Sequence, residues 1–174
     1  MKIYSGWSLK NAVLAVAVVW LSLFGHLAHV SVALESNWTQ KFPDERYDHA
    51  MAYDAAHRQV VIFGGALATL YFNDTWVWDG TSWTQITPAS SPPPRAGHAM
   101  AYDEAHAQVV LFGGSGLNDT WAWDGTNWTL QTPANSPSGR SGHAMAYDAA
   151  SGQVVLFGGA GYNVVNDTWV WDGT

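Results

Sequence analysis

From residue 46 onward the chain is written in short apolar and alternating stretches with no helical period, and the stretches recur. The phrase His-Ala-Met-Ala-Tyr-Asp stands at His49 to Asp54, His98 to Asp103 and His143 to Asp148. A continuous apolar run ending in Phe-Gly-Gly follows at Val60 to Gly65, Val109 to Gly114 and Val154 to Gly159. Asn-Asp-Thr-Trp-x-Trp-Asp-Gly-Thr closes each round at Asn73 to Thr81, Asn118 to Thr126 and Asn166 to Thr174. One unit is therefore written three times, at residues 46–94, 95–139 and 140–174, and a repeat of this length is a supersecondary unit.

The middle unit predicts four strands. His98 to Tyr102 alternates larger and smaller side chains, and Gln108 to Phe112 is an unbroken apolar run of the kind buried on both faces. Thr120 to Trp123 alternates, so both tryptophans share a face. Asp124-Gly125 is a hairpin turn signal, and Asn127 to Leu130 is the returning strand. A Pro/Ser-rich connector, Pro133 to Gly139, leads to Arg140 and the next unit. Four short antiparallel strands, repeated, predict an all-β chain of β-propeller blades.

These residues resemble the kelch repeat. Arg46, Arg95 and Arg140 precede the first strand; Gly64-Gly65, Gly113-Gly114 and Gly158-Gly159 end the second. Trp78, Trp123 and Trp171 stand in the third strand, where the usual residue is Tyr, and Trp83 and Trp128 in the fourth. The phrase Asp-Gly-Thr-x-Trp-Thr-Gln is similar to a bacterial, secreted branch of the kelch/galactose-oxidase superfamily. The resemblance implies a propeller that binds proteins or carbohydrates through loops on one face. On physical grounds the double glycines allow positive φ and close approach of blades, and the tryptophans fill the gap between blades. The arginines are expected to bond carbonyls or Asp side chains of the next blade. Asp79, Asp124 and Asp172 are expected to serve turns, and Asn-Asp-Thr to serve turns and caps.

About three blades are present, an incomplete ring. The third unit stops at the hairpin turn Trp171 to Thr174, while Asn37-Trp38-Thr39-Gln40 matches Ser82-Trp83-Thr84-Gln85 as a fourth strand ahead of the first unit. Three readings stay open: a piece of a longer chain, a homodimer whose N-terminal strands complete a six-bladed ring, or an open arc with apolar end faces.

The first residues have another character. Lys2 and Lys10 precede the apolar run Ala12 to Phe24, and Ser31-Val32-Ala33 offers a cleavage site, so residues 1–33 read as a signal peptide and 34–174 as the propeller segment. The expected location is extracellular or periplasmic. The alternative is a membrane anchor, if the segment is retained.

Composition narrows the chemistry. The 174 residues hold 11 Trp, 17 Gly, 7 Lys plus Arg, 14 Asp plus Glu and no Cys, for a formal net charge of −7. The excess of tryptophan is the repeat itself, since nine of them follow the targeting segment at repeat positions. An acidic chain lacks the cationic footprint of nucleic-acid binding. Absence of Cys excludes a disulfide scaffold, a thiolate metal site and the Tyr–Cys cofactor of copper-radical sugar oxidases. No catalytic residue, metal site or cofactor is predicted. His49, His98 and His143 recur at equivalent framework places, where they are expected to satisfy backbone groups of their own blade rather than hold a metal. His57 and His106, in the first turns, are expected at the surface. Ligand contacts are expected where the units differ, in the loops after the double glycines: Tyr71 and Phe72 in the first, Leu117 in the second, Tyr162 and Asn163 in the third. The function expected is that of an exported module binding a protein or glycan, the alternative a carbohydrate-active kelch enzyme related to sugar oxidases or sialic-acid epimerases.

Overall fold

The computed structural model describes residues 43–174. The candidate targeting segment and Asn37 to Gln40 lie outside the described residues. The rest is all β among the described residues, in three consecutive blades.

The first blade is a four-stranded sheet of β1 (Ala50–Asp54), β2 (Gln59–Phe63), β5 (Thr75–Trp78) and β6 (Trp83–Ile86). Between β2 and β5 the variable loop folds into its own small hairpin, β3 (Ala66–Leu67) with β4 (Leu70–Tyr71). β7 (Ala99–Asp103), β8 (Gln108–Phe112), β9 (Thr120–Trp123) and β10 (Trp128–Gln131) form the second blade. β11 (Ala144–Asp148), β12 (Gln153–Phe157) and β13 (Thr168–Trp171) form a three-stranded third blade. Pairing is antiparallel throughout, with Met51 opposite Ile62, Met100 opposite Leu111 and Met145 opposite Leu156. The expected first and fourth strands begin one residue later than the sequence pattern places them. The unbroken apolar strands are buried as their composition requires, with Val109, Val110, Leu111 and Phe112 all in the core.

The first strands β1, β7 and β11 lie side by side. Their entrances are linked in series: Gly97 donates its N–H to the carbonyl of Asp48, and Gly142 donates to that of Gly97, both at 2.8 Å. Gly97 and Gly142 hold positive φ (+70° and +67°) and Asp48 adopts the same left-handed conformation at +54°. An Asp tolerates this region better than most side chains.

The core is the seam between the first two blades. Phe63 and Val61 of β2 meet Trp123 and Trp128 of the second blade, all at most marginally exposed. Trp128 stands edge-on to Phe63 at 5.3 Å and tilted against Trp123 at 5.3 Å. Such pairs add to the area each indole buries.

The first two double glycines sit where two repeats touch. A Cβ on Gly64 would lie 2.7 Å from the carbonyl oxygen of Arg95, and one on Gly113 2.8 Å from that of Arg140. The second glycine of each pair faces its own blade's histidine, Gly114 leaving only 2.7 Å to Cβ of His98.

Candidate functional site

Antiparallel order puts the loops after β2, β8 and β12 at the same end of the blades as the connectors that enter the first strands. The turns after the first and third strands lie at the opposite end. Framework and candidate binding residues sort along this division.

The repeated arginines build the loop end from beneath. Arg95 is fully buried and grips both carboxylate oxygens of Asp119 at 2.7 Å, while Nη1 also donates to the carbonyl of Gly113 and Nε to that of Pro93. Arg46 holds Asp74 and the Gly64 carbonyl in the same way, and Arg140 holds Asp167 and the Gly158 carbonyl. Apart from the Nε bond of Arg95 to Pro93 in the connector just before it, these bonds stay within one repeat, which corrects the expectation that the Asp partners lie in the next blade. The reason is geometric: the arginine enters at the loop end, where the Asp before the third strand of its own sheet is already waiting. The Asp also accepts from an indole N–H, Trp76 for Asp74, Trp121 for Asp119 and Trp169 for Asp167. Burial pushes the Asp74 and Asp119 carboxyls up, but the arginine and indole donors outweigh it and hold both below the ordinary value. Asn-Asp-Thr is thus an anchor for Arg and Trp rather than a cap, and its Asp residues are framework groups that the sequence reading passed over. The turn role of Asp79 and Asp124 holds, each accepting from two backbone N–H groups in its hairpin.

The histidines also depart from expectation. His98 and His143 are buried, and their rings pack edge-on against Phe63 and Phe112 of the preceding blade at 5.7 and 5.5 Å. Neither ring meets a hydrogen-bond partner in its own blade. Burial, with help from Arg95 and the neighbouring His143 and His49, pushes His98 down to about 3. Both therefore serve as neutral seam-packing rings. His57 and His106 keep partly exposed side chains, yet Nδ1 of each lies 2.8 Å from the buried carboxylate of Asp54 or Asp103. Their rings cover the turn glycines Gly125 and Gly173 of the following blade. They clip the lower end of each seam, so they are more than surface residues. Among the described residues no group of three His, Cys, Asp or Glu is placed to hold a metal ion.

At the loop end a cleft of about 210 Å³ opens between the first-strand entrances, lined by Tyr47, Asp48, Tyr71, Gly97, Ser115 and Ser141 among others. Tyr71 is half exposed and stands on β4, whose hairpin is tied to the chain by the bridge of Tyr47 to Ala66. The Tyr47 hydroxyl donates to the Ala68 carbonyl at 3.0 Å. Ser115, itself at positive φ, accepts the Ala96 N–H on its hydroxyl.

The other candidates sit elsewhere. Phe72 is half-buried with the Arg46 guanidinium 4.6 Å over its ring, and its carbonyl receives the Arg95 N–H, so it braces the framework. Leu117 is half-buried, with its backbone tied to Gly114 and Arg140. Tyr162 is fully exposed and Asn163 exposed on the third loop, outside the cleft. Tyr47, Asp48, Ser115 and Ser141 were missed by the sequence reading. The signal lay in the place before each repeated His, where two units carry Gly and the first carries Asp.

Comparison with known proteins agrees with this architecture. The family model described as the KLHDC2/KLHL20/DRC7 Kelch-repeats domain matches residues 24–174. A comparison with curated proteins found no match. Kelch-repeat domains generally mediate protein–protein interaction. The chain belongs to the kelch-repeat family of β-propeller proteins and carries its protein-interaction fold.

Proposed function

We propose that the chain is an exported binding module that takes a protein or glycan partner on its loop end, with Tyr71, Asp48 and Tyr47 making the central contacts and Tyr162 and Asn163 extending the surface. The observation that carries this reading is the cleft, where two half-exposed tyrosines, one carboxylate and two serine hydroxyls converge over a rigid Arg–Asp framework. Aromatic rings held on a scaffold give contact area at low entropic cost, and Asp48 on an acidic chain favours a partner presenting Lys or Arg. Phe72 and Leu117 support these loops from below. Among the described residues the loops after the double glycines are also where the repeats differ most in length and composition, while the hairpin turns after the third strands all read Asp-Gly-Thr.

Selection from a displayed random-peptide library, run beside a glycan array, tests the reading. Basic, aromatic-containing peptides are expected, with binding lost at least tenfold in Tyr71→Ala and Asp48→Asn. Glycan binding lost in the same variants identifies the sugar-binding form. Turnover of mixed sugars by the chain would replace both with the enzymatic alternative. Export rests on residues 1–33, and it predicts that protein recovered from the periplasm or medium begins near Leu34. Recovery of the intact N-terminus in the membrane fraction would establish the anchor instead.

A further inference from the structure

Two tyrosines flank an alanine in the loop-end cleft. Tyr47 bridges Ala66 in antiparallel register, with N–H···O bonds of 2.9 Å in both directions, and Ala66 in turn pairs with Tyr71 of β4. Residues paired directly across a sheet share a face. The small, buried Ala66 therefore floors a slot with a tyrosine on each side. Adjacent strands lie about 4.8 Å apart, which sets the two tyrosines about 10 Å apart, room for one aliphatic chain between the rings. The third repeat builds the same bridges with Ser141, Ala160 and Val164 in the three places, so it has the frame of the slot without the aromatic walls.

Beside the slot, oxygens arrive from three repeats. Asp48 is exposed and is the one charged side chain lining the cleft, and Ser115 and Ser141 line it too. All three stand round Gly97, whose N–H is bonded to the Asp48 carbonyl and whose missing Cβ would lie 3.1 Å from that of Ser141. Asp48 occupies the place that is Gly97 and Gly142 in the other repeats, all at positive φ. Glycine adopts that conformation at no steric cost, and Asp does not. The framework thus gains nothing from the carboxylate, which pairs with no cation among the described residues. Ser115 is a second non-glycine at positive φ in the same cleft, and such strain gathers at ligand clamps.

Taking the loop end as the binding face, we infer that this cleft receives a lysine side chain of a partner protein. The stem lies over Ala66 between Tyr47 and Tyr71, and the ammonium donates to Asp48, Ser115 and Ser141. The cleft of about 210 Å³ suits one side chain, since pockets that enclose a whole small ligand run to about 300–1,000 Å³. A compact ammonium with three donors matches oxygens from three directions, whereas a planar guanidinium is matched to a single carboxylate. The tyrosine faces add attraction for the same cation.

The probe is lysine capped as its α-acetyl methylamide, with the side-chain ammonium free, titrated into the isotope-labelled full chain and followed by amide NMR. Saturable shifts are expected at Tyr71, Gly97 and Ser115. The same compound acetylated on its side chain is expected to give none, and the arginine and trimethyllysine counterparts to bind at least tenfold more weakly. Asp48→Gly installs the residue of the other two repeats, so it keeps the fold, and it is expected to weaken binding at least tenfold. Absence of saturable shifts, equal binding of the acetylated side chain, tighter binding of either counterpart, or unchanged binding in Asp48→Gly would each overturn the lysine assignment. If library-selected peptides still lose binding in Tyr71→Ala, the loop end remains the binding face and only the lysine assignment falls; if they do not, both readings fall.

Discussion

Trp128 donates its indole N–H to the hydroxyl of Thr75 across the seam between the first and second blades, at 2.9 Å and with both side chains out of contact with water. The bond is buried in the centre of that seam, surrounded by Phe63, Trp123 and Val61. Trp128→Phe keeps most of the packing and leaves the Thr75 hydroxyl without its donor, which costs about 1–3 kcal/mol. Trp128→Ala opens a cavity as well and costs about 3–5 kcal/mol. Urea unfolding of the two variants beside wild type checks the order. Equal losses would mean that the ring's volume contributes nothing.

Much of this was legible in the sequence, and the reason is repetition. Three copies of each phrase located the strands to within a residue, and the double glycines declared both their positive φ and the close approach of the next repeat. The destination of side chains was harder. Arg46, Arg95 and Arg140 recur once per unit, so periodicity alone cannot tell whether each bonds its own Asp or the next one along. The same ambiguity hid the histidines: a polar ring before a strand suggests backbone bonding, and only the packing on Phe63 and Phe112 shows that it crosses to the preceding blade. The cleft was least visible because Asp48, Ser115 and Ser141 converge from three repeats and share no motif.

The glycines separate steric from conformational cost. Gly64→Ala and Gly113→Ala each set a methyl against a backbone oxygen at under 3 Å and at positive φ. Gly116 has a positive φ of +76° but open space around it. Gly116→Ala is expected to cost about 1 kcal/mol, the conformational part alone. The other two are expected to exceed it clearly, because the seam must widen. Thermal unfolding of the three variants distinguishes them, and similar shifts for all three would show that the blades do not meet where described.

Histidine burial makes the fold acid-sensitive above the carboxylate range. His98 titrates near 6.5 when unfolded and is held near 3 when folded, and His49 and His143 are lowered in the same sense, burial being the main cause for all three. The unfolded chain then binds the extra protons, so this stability is complete above pH 6.5 and declines as pH falls toward 3. His98 alone accounts for about 2 kcal/mol lost by pH 5. The Asp74 and Asp119 pairs act later, losing their contribution as the pH drops below the ordinary carboxylate value. Melting temperature is expected to fall between pH 7 and 5 in wild type and to fall less in His98→Phe. A flat profile over that interval would contradict neutral burial.

Hydrogen–deuterium exchange with and without a bound library-selected peptide tests the binding account most directly. Protection is predicted at 47–49, 66–72 and 115–117, extending to 160–165, and it should be absent from the turns at 79–82 and 124–127. Protection confined to those turns, with the loop end unchanged, would contradict it.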